Sequence, residues 1–177
     1  VREALFAILG SSMSFSGVAV LDLYAGTGAL AFEALSRGAG TATLVESRQP
    51  AIRAIETNAR ALGVAGKVEL IEGAVERSGG AVRARGPFDL IFADPPYADI
   101  ASGAAVRAIA AILVGERDER CLLADDGRLV VEHAKGDGPP DLPRVTLIDT
   151  RRYGDTSISF YSPASALGGD EGVPRQR

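Results

Sequence analysis

The chain is poor in the residues that hold metals and disulfides. It has one cysteine, Cys121, one histidine, His133, and no tryptophan. A single thiol makes no internal disulfide, and one thiol with one imidazole gives no zinc-binding set. No metal is therefore expected. Cys121 reads as a partly buried thiol, and His133, set in an apolar run, as a satisfied core or strand-end histidine. No apolar run approaches the ~20 residues that a membrane helix needs. The opening segment lacks the charged start, apolar stretch and small-residue cleavage site of a signal peptide. A cytoplasmic location without membrane contact is the default expectation. Positive charge is also in short supply. With 19 Lys+Arg against 23 Asp+Glu, the net charge is −4, which argues against unaided tight binding to a polyanion.

What remains is an ordinary globular composition, 46% hydrophobic and 24% charged over 177 residues. That is enough for one α/β domain burying ~70% of its unfolded surface. Val1, Leu5, Ile8 and Leu9 share one face of a short amphipathic helix, and Ser11 to Gly17 is a polar loop. Strands are expected at 19–24, 41–46, 67–72, 88–93 and 127–133. Helices are expected at 29–37, about 50–62, 74–82 (a weaker one, interrupted by Gly79 and Gly80) and 102–114. This alternation calls for a parallel sheet covered on both faces. Two strand-like runs, 144–152 and 157–162, then have only Tyr153-Gly154-Asp155-Thr156 between them. That is too short for a helical crossover, so they form a hairpin and one strand runs antiparallel to the rest. From Pro163 onward the chain is small, polar and proline-punctuated, which reads as a disordered tail over 163–177. Residues 1–162 form one domain with no internal boundary.

Two stretches carry chemistry. The first is Asp94-Pro95-Pro96-Tyr97, closing the strand at 88–93. The two prolines end the ladder and fix their own φ near −65°, and each restricts the residue before it. The resulting stiff turn can aim two acceptors, the Asp94 carboxylate and the Pro95 carbonyl, at one point. Their natural guest is a group with two N–H donors, such as the exocyclic amine of a nucleobase, with Tyr97 offering a face for stacking. A strand-ending turn with a capping Asp is the plainer alternative.

The second stretch is Asp22 to Gly28, a strand end leading into a helix. Gly26, Gly28 and Ala31 fit the dinucleotide pattern Gly-x-Gly-x-x-Gly/Ala, and Glu46 ends the next strand about 20 residues on, where an acid accepts from ribose hydroxyls. Taken alone, this equally suits an NAD enzyme. Asp22 separates the two, because a carboxylate there would repel a pyrophosphate but suits the sulfonium and ammonium of S-adenosylmethionine. Helix or loop capping is the structural alternative for Asp22, and helix capping for Glu46 with Ser47 and Pro50.

Together, Asp22 to Leu30 (Asp-Leu-Tyr-Ala-Gly-Thr-Gly-Ala-Leu), Glu46, Asp94 to Tyr97 and Tyr153 to Thr156 resemble the bacterial small-subunit (16S) ribosomal RNA guanine-N2-methyltransferases. The opening Val-Arg-Glu-Ala-Leu-Phe resembles them too. The resemblance runs to about Ser162, although the Asp-Pro-Pro-Tyr element is shared with amino-methyltransferases acting on adenine in DNA or RNA. It implies a Rossmann-like class I methyltransferase with a seven-stranded, mostly parallel sheet, its last strand antiparallel and helices on both faces. It implies S-adenosylmethionine as cofactor and, as partner, 16S ribosomal RNA within an assembled or assembling small subunit. A monomer is expected. An N-terminal segment, basic in the family, is expected to precede Val1.

Residue by residue, the resemblance gives Asp94, Pro95, Pro96 and Tyr97 a catalytic role. It assigns Asp22, Tyr24, Ala25, Gly26, Thr27, Gly28, Glu46, Ser47, Gly73 and Ala74 to the cofactor. Many enzymes of this fold have an acid after the third strand for the adenine amine. This chain has Glu72-Gly73-Ala74, so adenine is held by backbone or by Glu72. Arg83, Arg85, Arg151 and Arg152 are candidate phosphate contacts. The rival readings are an NAD-dependent oxidoreductase and a cofactor-free RNA-binding module.

Overall fold

The computed structural model describes residues 1–115 and 120–164. Seven strands form one sheet in the order β3-β2-β1-β4-β5-β7-β6. The strands are β1 (Ala19–Leu23), β2 (Thr41–Glu46), β3 (Val68–Glu72), β4 (Phe88–Ala93), β5 (Leu123–Ala134), β6 (Val145–Tyr153) and β7 (Thr156–Pro163). β1 to β5 run parallel, whereas β7 lies antiparallel between β5 and β6. This is the seven-stranded Rossmann-like sheet that the alternation and the hairpin called for, with β6, not the last strand, at its edge. From residue 165 on, the expected tail lies outside the described residues.

The helices are α1 (Arg2–Ser12), α2 (Ala29–Ser36), α3 (Gln49–Ala61), α4 (Gly79–Arg83), α5 (Tyr97–Ala101) and α6 (Ala104–Leu113). Alternate residues of each strand face opposite ways, and the helices divide accordingly. Val20, Leu44, Leu90, Phe92 and Val130 pack with residues of α1, α2 and α3. Leu21, Leu23, Ile91, Val131 and Tyr161 pack on the other face with residues of α4, α5 and α6. Phe6 of α1 is fully buried, its ring 5.6 Å from Phe15 and 5.8 Å from Phe92. Burying such a ring stabilises by ~1.5–3 kcal/mol, and here it anchors the end of β4 just before Asp94.

Three expectations about elements need correction. The stretch 74–82 is not one helix but a 3-10 turn, Val75–Arg77, followed by α4. The stretch expected to be only a turn runs directly into a short helix, α5, at Tyr97, and Gly103, at φ +75°, divides it from α6, the helix expected at 102–114. β5 begins at Leu123 rather than Gly127. Its extra residues pair through an irregularity opposite Phe88 and Leu90 that the polar Asp125-Asp126-Gly127 stretch concealed. Among the described residues no helix is long and apolar enough to cross a membrane, and no group of His, Cys, Asp or Glu is placed to hold a metal. His133 is buried, its Nε2 2.8 Å from Ser159 Oγ and its Nδ1 3.0 Å from the Ala134 carbonyl, so the core histidine reading holds.

Candidate active site

The carboxyl ends of β1, β2, β4 and β5 open onto a cavity of about 620 Å³. Open parallel sheets bind ligands at this end. Of the cofactor residues expected from the sequence, Tyr24, Glu46, Ser47 and Gly73 line it, together with all four residues from Asp94 to Tyr97. The wall also holds Arg48, Val75, Glu76, Asp99 and Glu132, which sequence reasoning missed.

The loop after β1 is shaped from within. Gly28 has φ +82°, and a Cβ there would lie 2.6 Å from the Phe32 ring and 3.0 Å from Leu44, so only glycine fits. Gly26 has φ +58° and donates its amide to Glu46 Oε2 at 2.7 Å. Glu46 Oε1 accepts from the amides of Ser47 and Arg48, each at 2.9 Å, and from Arg48 Nε at 3.3 Å. Burial pushes the Glu46 carboxyl up, but the amide and guanidinium of Arg48 and the Gly26 amide outweigh it and hold the group below its ordinary value. One carboxylate thus ties the glycine loop to the start of α3. Oε2, with a single donor, keeps a lone pair for a ligand hydroxyl. Ala25, Thr27 and Ala74 do not line the cavity. Thr27 is held from α3 by Asn58, which donates to its carbonyl at 3.2 Å, and the Ala74 carbonyl accepts from Ser78 Oγ at 2.8 Å.

Asp22 departs from expectation. Its side chain is 2% exposed, lies beneath the loop rather than on the cavity wall, and accepts from the Ala31 amide in the first turn of α2 at 3.3 Å. Burial first, and then the neighbouring charges of Asp94 and Glu46, raise its carboxyl well above the usual range. The capping alternative is the one the geometry supports, so the argument against a pyrophosphate has to rest on other groups. The cavity supplies them, because among the described residues Glu46, Glu76, Asp94, Asp99 and Glu132 line it against Arg48 alone. Such a wall favours a cation and repels a diphosphate.

Tyr24 adds a second indication of a ligand. It has φ +60°, a strained value for a bulky side chain. Its hydroxyl is buried without a hydrogen-bond partner among the described residues. Burial, followed by the nearby charges of Glu76 and Asp99, raises its phenol, so it stays a neutral donor. Glu76 is close enough to act on that proton electrostatically, but the hydroxyl makes no well-formed hydrogen bond. A buried donor left unsatisfied costs about 1–3 kcal/mol, which a bound acceptor would recover.

Asp94 is exposed to the cavity, yet enough protein surrounds it that burial raises its carboxyl. Pro95 is buried, and Tyr97, 44% exposed, makes a hydroxyl–hydroxyl hydrogen bond to Thr156 at 2.6 Å. That contact fastens the turn to the β6–β7 hairpin. Arg151 and Arg152 are exposed at this same end of the sheet, with Arg151 paired to Asp149 at 2.6 Å. Arg83 and Arg85 are not there. They precede β4, whose six residues span about 20 Å to the cavity end. Arg83 donates to the carbonyls of Ile112, Leu113 and Arg120, and Arg85 pairs with Glu69. The structure therefore does not bring these two arginines to the site.

Residues 1–162 match the family described as "Conserved hypothetical protein 95". The chain belongs to this family. It is similar to the Bacillus subtilis protein named "Putative rRNA methyltransferase YlbH", with 32% identity over 166 residues, 91% of this chain and 83% of that protein. "Ribosomal RNA small subunit methyltransferase D" of Buchnera aphidicola shares 35% identity over 97 residues, 55% of this chain and 49% of that one. A solved conserved hypothetical protein of Streptococcus pyogenes superimposes with a TM-score of 0.78 at 32% identity, covering 93% of this chain and 96% of its own. The family member described here is thus a Rossmann-like S-adenosylmethionine-dependent methyltransferase related to the rRNA methylases.

Within this family member Glu132 stands out. It is a half-buried carboxylate with no hydrogen bond or ion pair among the described residues. Burial, and then the charge of Asp94, push it up to about 7, against the lowering pull of the Val1 ammonium. The native state therefore holds this proton more tightly than the unfolded chain, and ionising Glu132 costs stability. That cost is absent below the ordinary carboxyl value of 4.5 and grows as pH rises to 7. Because the group is only half-buried, solvent screening limits the cost to about 1–2 kcal/mol. Glu132→Gln is accordingly expected to be more stable than the parent protein in urea at pH 8 and equal to it at pH 4. A variant less stable at pH 8 would show that the carboxylate is held by favourable contacts instead.

Proposed function

We propose that this chain transfers a methyl group from S-adenosylmethionine to the exocyclic N2 amine of a guanine in small-subunit (16S) ribosomal RNA. The observation that carries the reading is the meeting of the Asp94–Tyr97 turn with a carboxylate-walled cavity beside the glycine loop. The printed names of the relatives in Bacillus subtilis and Buchnera aphidicola support RNA as the substrate class.

The residues present fit the cofactor. The acidic wall suits a sulfonium and an ammonium, Glu46 Oε2 has room for a ribose hydroxyl, and the buried Tyr24 hydroxyl lacks an acceptor among the described residues. Gly73, whose amide donates to the Glu46 carbonyl at 2.9 Å, leaves the wall open beside Val75 for an adenine face. The cofactor supplies an electrophilic methyl on sulfonium. The protein's part is placement. The Asp94 carboxylate and the Pro95 carbonyl accept the two N–H bonds of the amine, which turns the nitrogen lone pair out of the purine plane. Asp94, with its carboxyl already raised by burial, then takes the proton that the nitrogen sheds. Tyr97 stacks the base, held in place by Thr156, and the base enters from a loop or by unstacking. Arg151 and Arg152 lie where the flanking phosphates would pass.

In this reading the enzyme acts in the cytoplasm, as a monomer, on assembled or assembling small subunits, with residues 1–162 as the working unit. Calorimetry tests the cofactor. S-adenosylmethionine is expected to bind at micromolar strength, with NAD giving no heat. Tight NAD binding without a response to S-adenosylmethionine would restore the oxidoreductase reading, and silence with both would favour the cofactor-free RNA-binding module. The second chemical reading, adenine N6 as the amine, shares the same Asp-Pro-Pro-Tyr turn.

A further inference from the structure

Ala93 of β4 pairs with Val131 of β5, the last pair of that ladder. The next residues are Asp94 and Glu132. Each follows by two a residue of the α1/α2/α3 face, Phe92 and Val130 respectively, so both carboxylates leave the sheet on the same side. Parallel neighbours are about 4.8 Å apart. Asp94 and Glu132 also share a second, smaller pocket floored by Leu5, Phe92, Val130 and Ile158, apolar groups that offer neither one a donor. Both line the main cavity, and neither takes a hydrogen bond or ion pair from the described residues. Two acceptors thus stand side by side at the reacting end of the site, only one of them accounted for.

The second acceptor matches what distinguishes guanine from adenine. Beside its exocyclic amine, guanine carries N1–H, a donor. Beside its own amine, adenine carries N1 as a bare acceptor. An ionised carboxylate only accepts. It pairs with the guanine edge and repels the adenine edge. We infer that Glu132 is the specificity residue of the site, accepting N1–H of the target guanine while Asp94 and the Pro95 carbonyl hold its amine. This inference rests on the amine-methyltransferase reading above and gives it a preference for guanine that the Asp-Pro-Pro-Tyr turn alone does not supply. It also accounts for a carboxylate kept half-buried and unpaired, since natural chains retain such destabilising groups at functional sites.

The test separates the N1 contact from the amine. First, the guanine methylated by the parent enzyme is mapped. Small-subunit RNA is then assembled by ligation with either guanosine or 2-aminopurine riboside at that position and reconstituted into particles. 2-Aminopurine keeps the amine but presents an acceptor at N1. Measured as kcat/KM at pH 8, where Glu132 is ionised, the parent enzyme should prefer guanosine by at least ~10²-fold, because a site built to bond an N–H rejects the analogue lacking it. In Glu132→Gln the amide both donates and accepts, and the preference should fall to within ~10-fold. S-adenosylmethionine should still bind by calorimetry, within ~10-fold of the parent because Glu46, Glu76, Asp94 and Asp99 remain in the wall, which shows that the variant is folded. A Gln variant that keeps the parental preference, or a parent enzyme that uses both bases equally, overturns the role of Glu132 and leaves the methyltransferase reading standing. A parent enzyme that methylates no guanine overturns the guanine reading itself, and this role with it.

Discussion

Asp94→Ala is expected to slow single-turnover methyl transfer by ~10²–10³ while leaving S-adenosylmethionine affinity nearly intact, the scale seen when one preorganised polar group is lost. The separation follows from position. Asp94 follows β4 on the side of the cavity proposed for the base, whereas Glu46, the proposed cofactor contact, and the glycine loop it ties are held by their own hydrogen bonds. The raised carboxyl adds a pH signature, because Asp94 must be ionised to accept from the amine. Activity should therefore fall on the acid side at a pH above the ordinary aspartate range, and the residual activity of the Ala variant should lose the Asp94 part of this fall and keep only that of Glu132. Tyr97→Ala should weaken base binding by ~1–3 kcal/mol through lost stacking, with a smaller effect on the chemical step. Full single-turnover activity in Asp94→Ala would remove the amine-holding role.

Glu46→Ala is expected to lower cofactor affinity by ~10²-fold or more and to cost ~2–4 kcal/mol of stability, since charge-assisted hydrogen bonds contribute ~1.5–3 kcal/mol each and are only partly replaced by water. The carboxylate accepts from Gly26, Ser47 and Arg48, so its loss frees the loop and the start of α3 together. The sign of the pH effect is opposite to that of Glu132. The folded-state value of Glu46 is depressed, so its contribution is fully present above the ordinary value of 4.5 and is lost as pH falls through the folded value. The difference in urea midpoint between the parent and Glu46→Ala should therefore narrow in acid. Unchanged calorimetric affinity in this variant would move the ribose contact to another residue.

Much of this was legible in the chain because the central strands β1, β2 and β4 are almost wholly buried. β2 and β4 were bounded correctly at both ends by their apolar runs, and the short Tyr153–Thr156 connection fixed the one antiparallel strand. Short helices were harder. α5 begins directly at Tyr97, where the two prolines read as a turn, whereas the longer α6 lies within the helix expected at 102–114. In the site, Gly26, Gly28, Glu46 and Asp94 were visible as motif. Asp22 was assigned to the ligand because its charge could be read but its burial under α2 could not. Glu132 escaped for the converse reason. It is one acid in the run Leu129 to His133, and its meaning appears only when β5 pairs beside β4 and brings it level with Asp94. Arg83 and Arg85, close to β4 in sequence, belong to the wrong end of that strand.

The central claim is tested most directly by incubating the protein with small-subunit ribosomal particles and S-adenosylmethionine carrying a labelled methyl group, then digesting the RNA to nucleosides for mass spectrometry. The account predicts label in N2-methylguanosine at a single position, lost with Asp94→Ala. Label in N6-methyladenosine instead, or none in particles or naked RNA despite a bound cofactor, would contradict it.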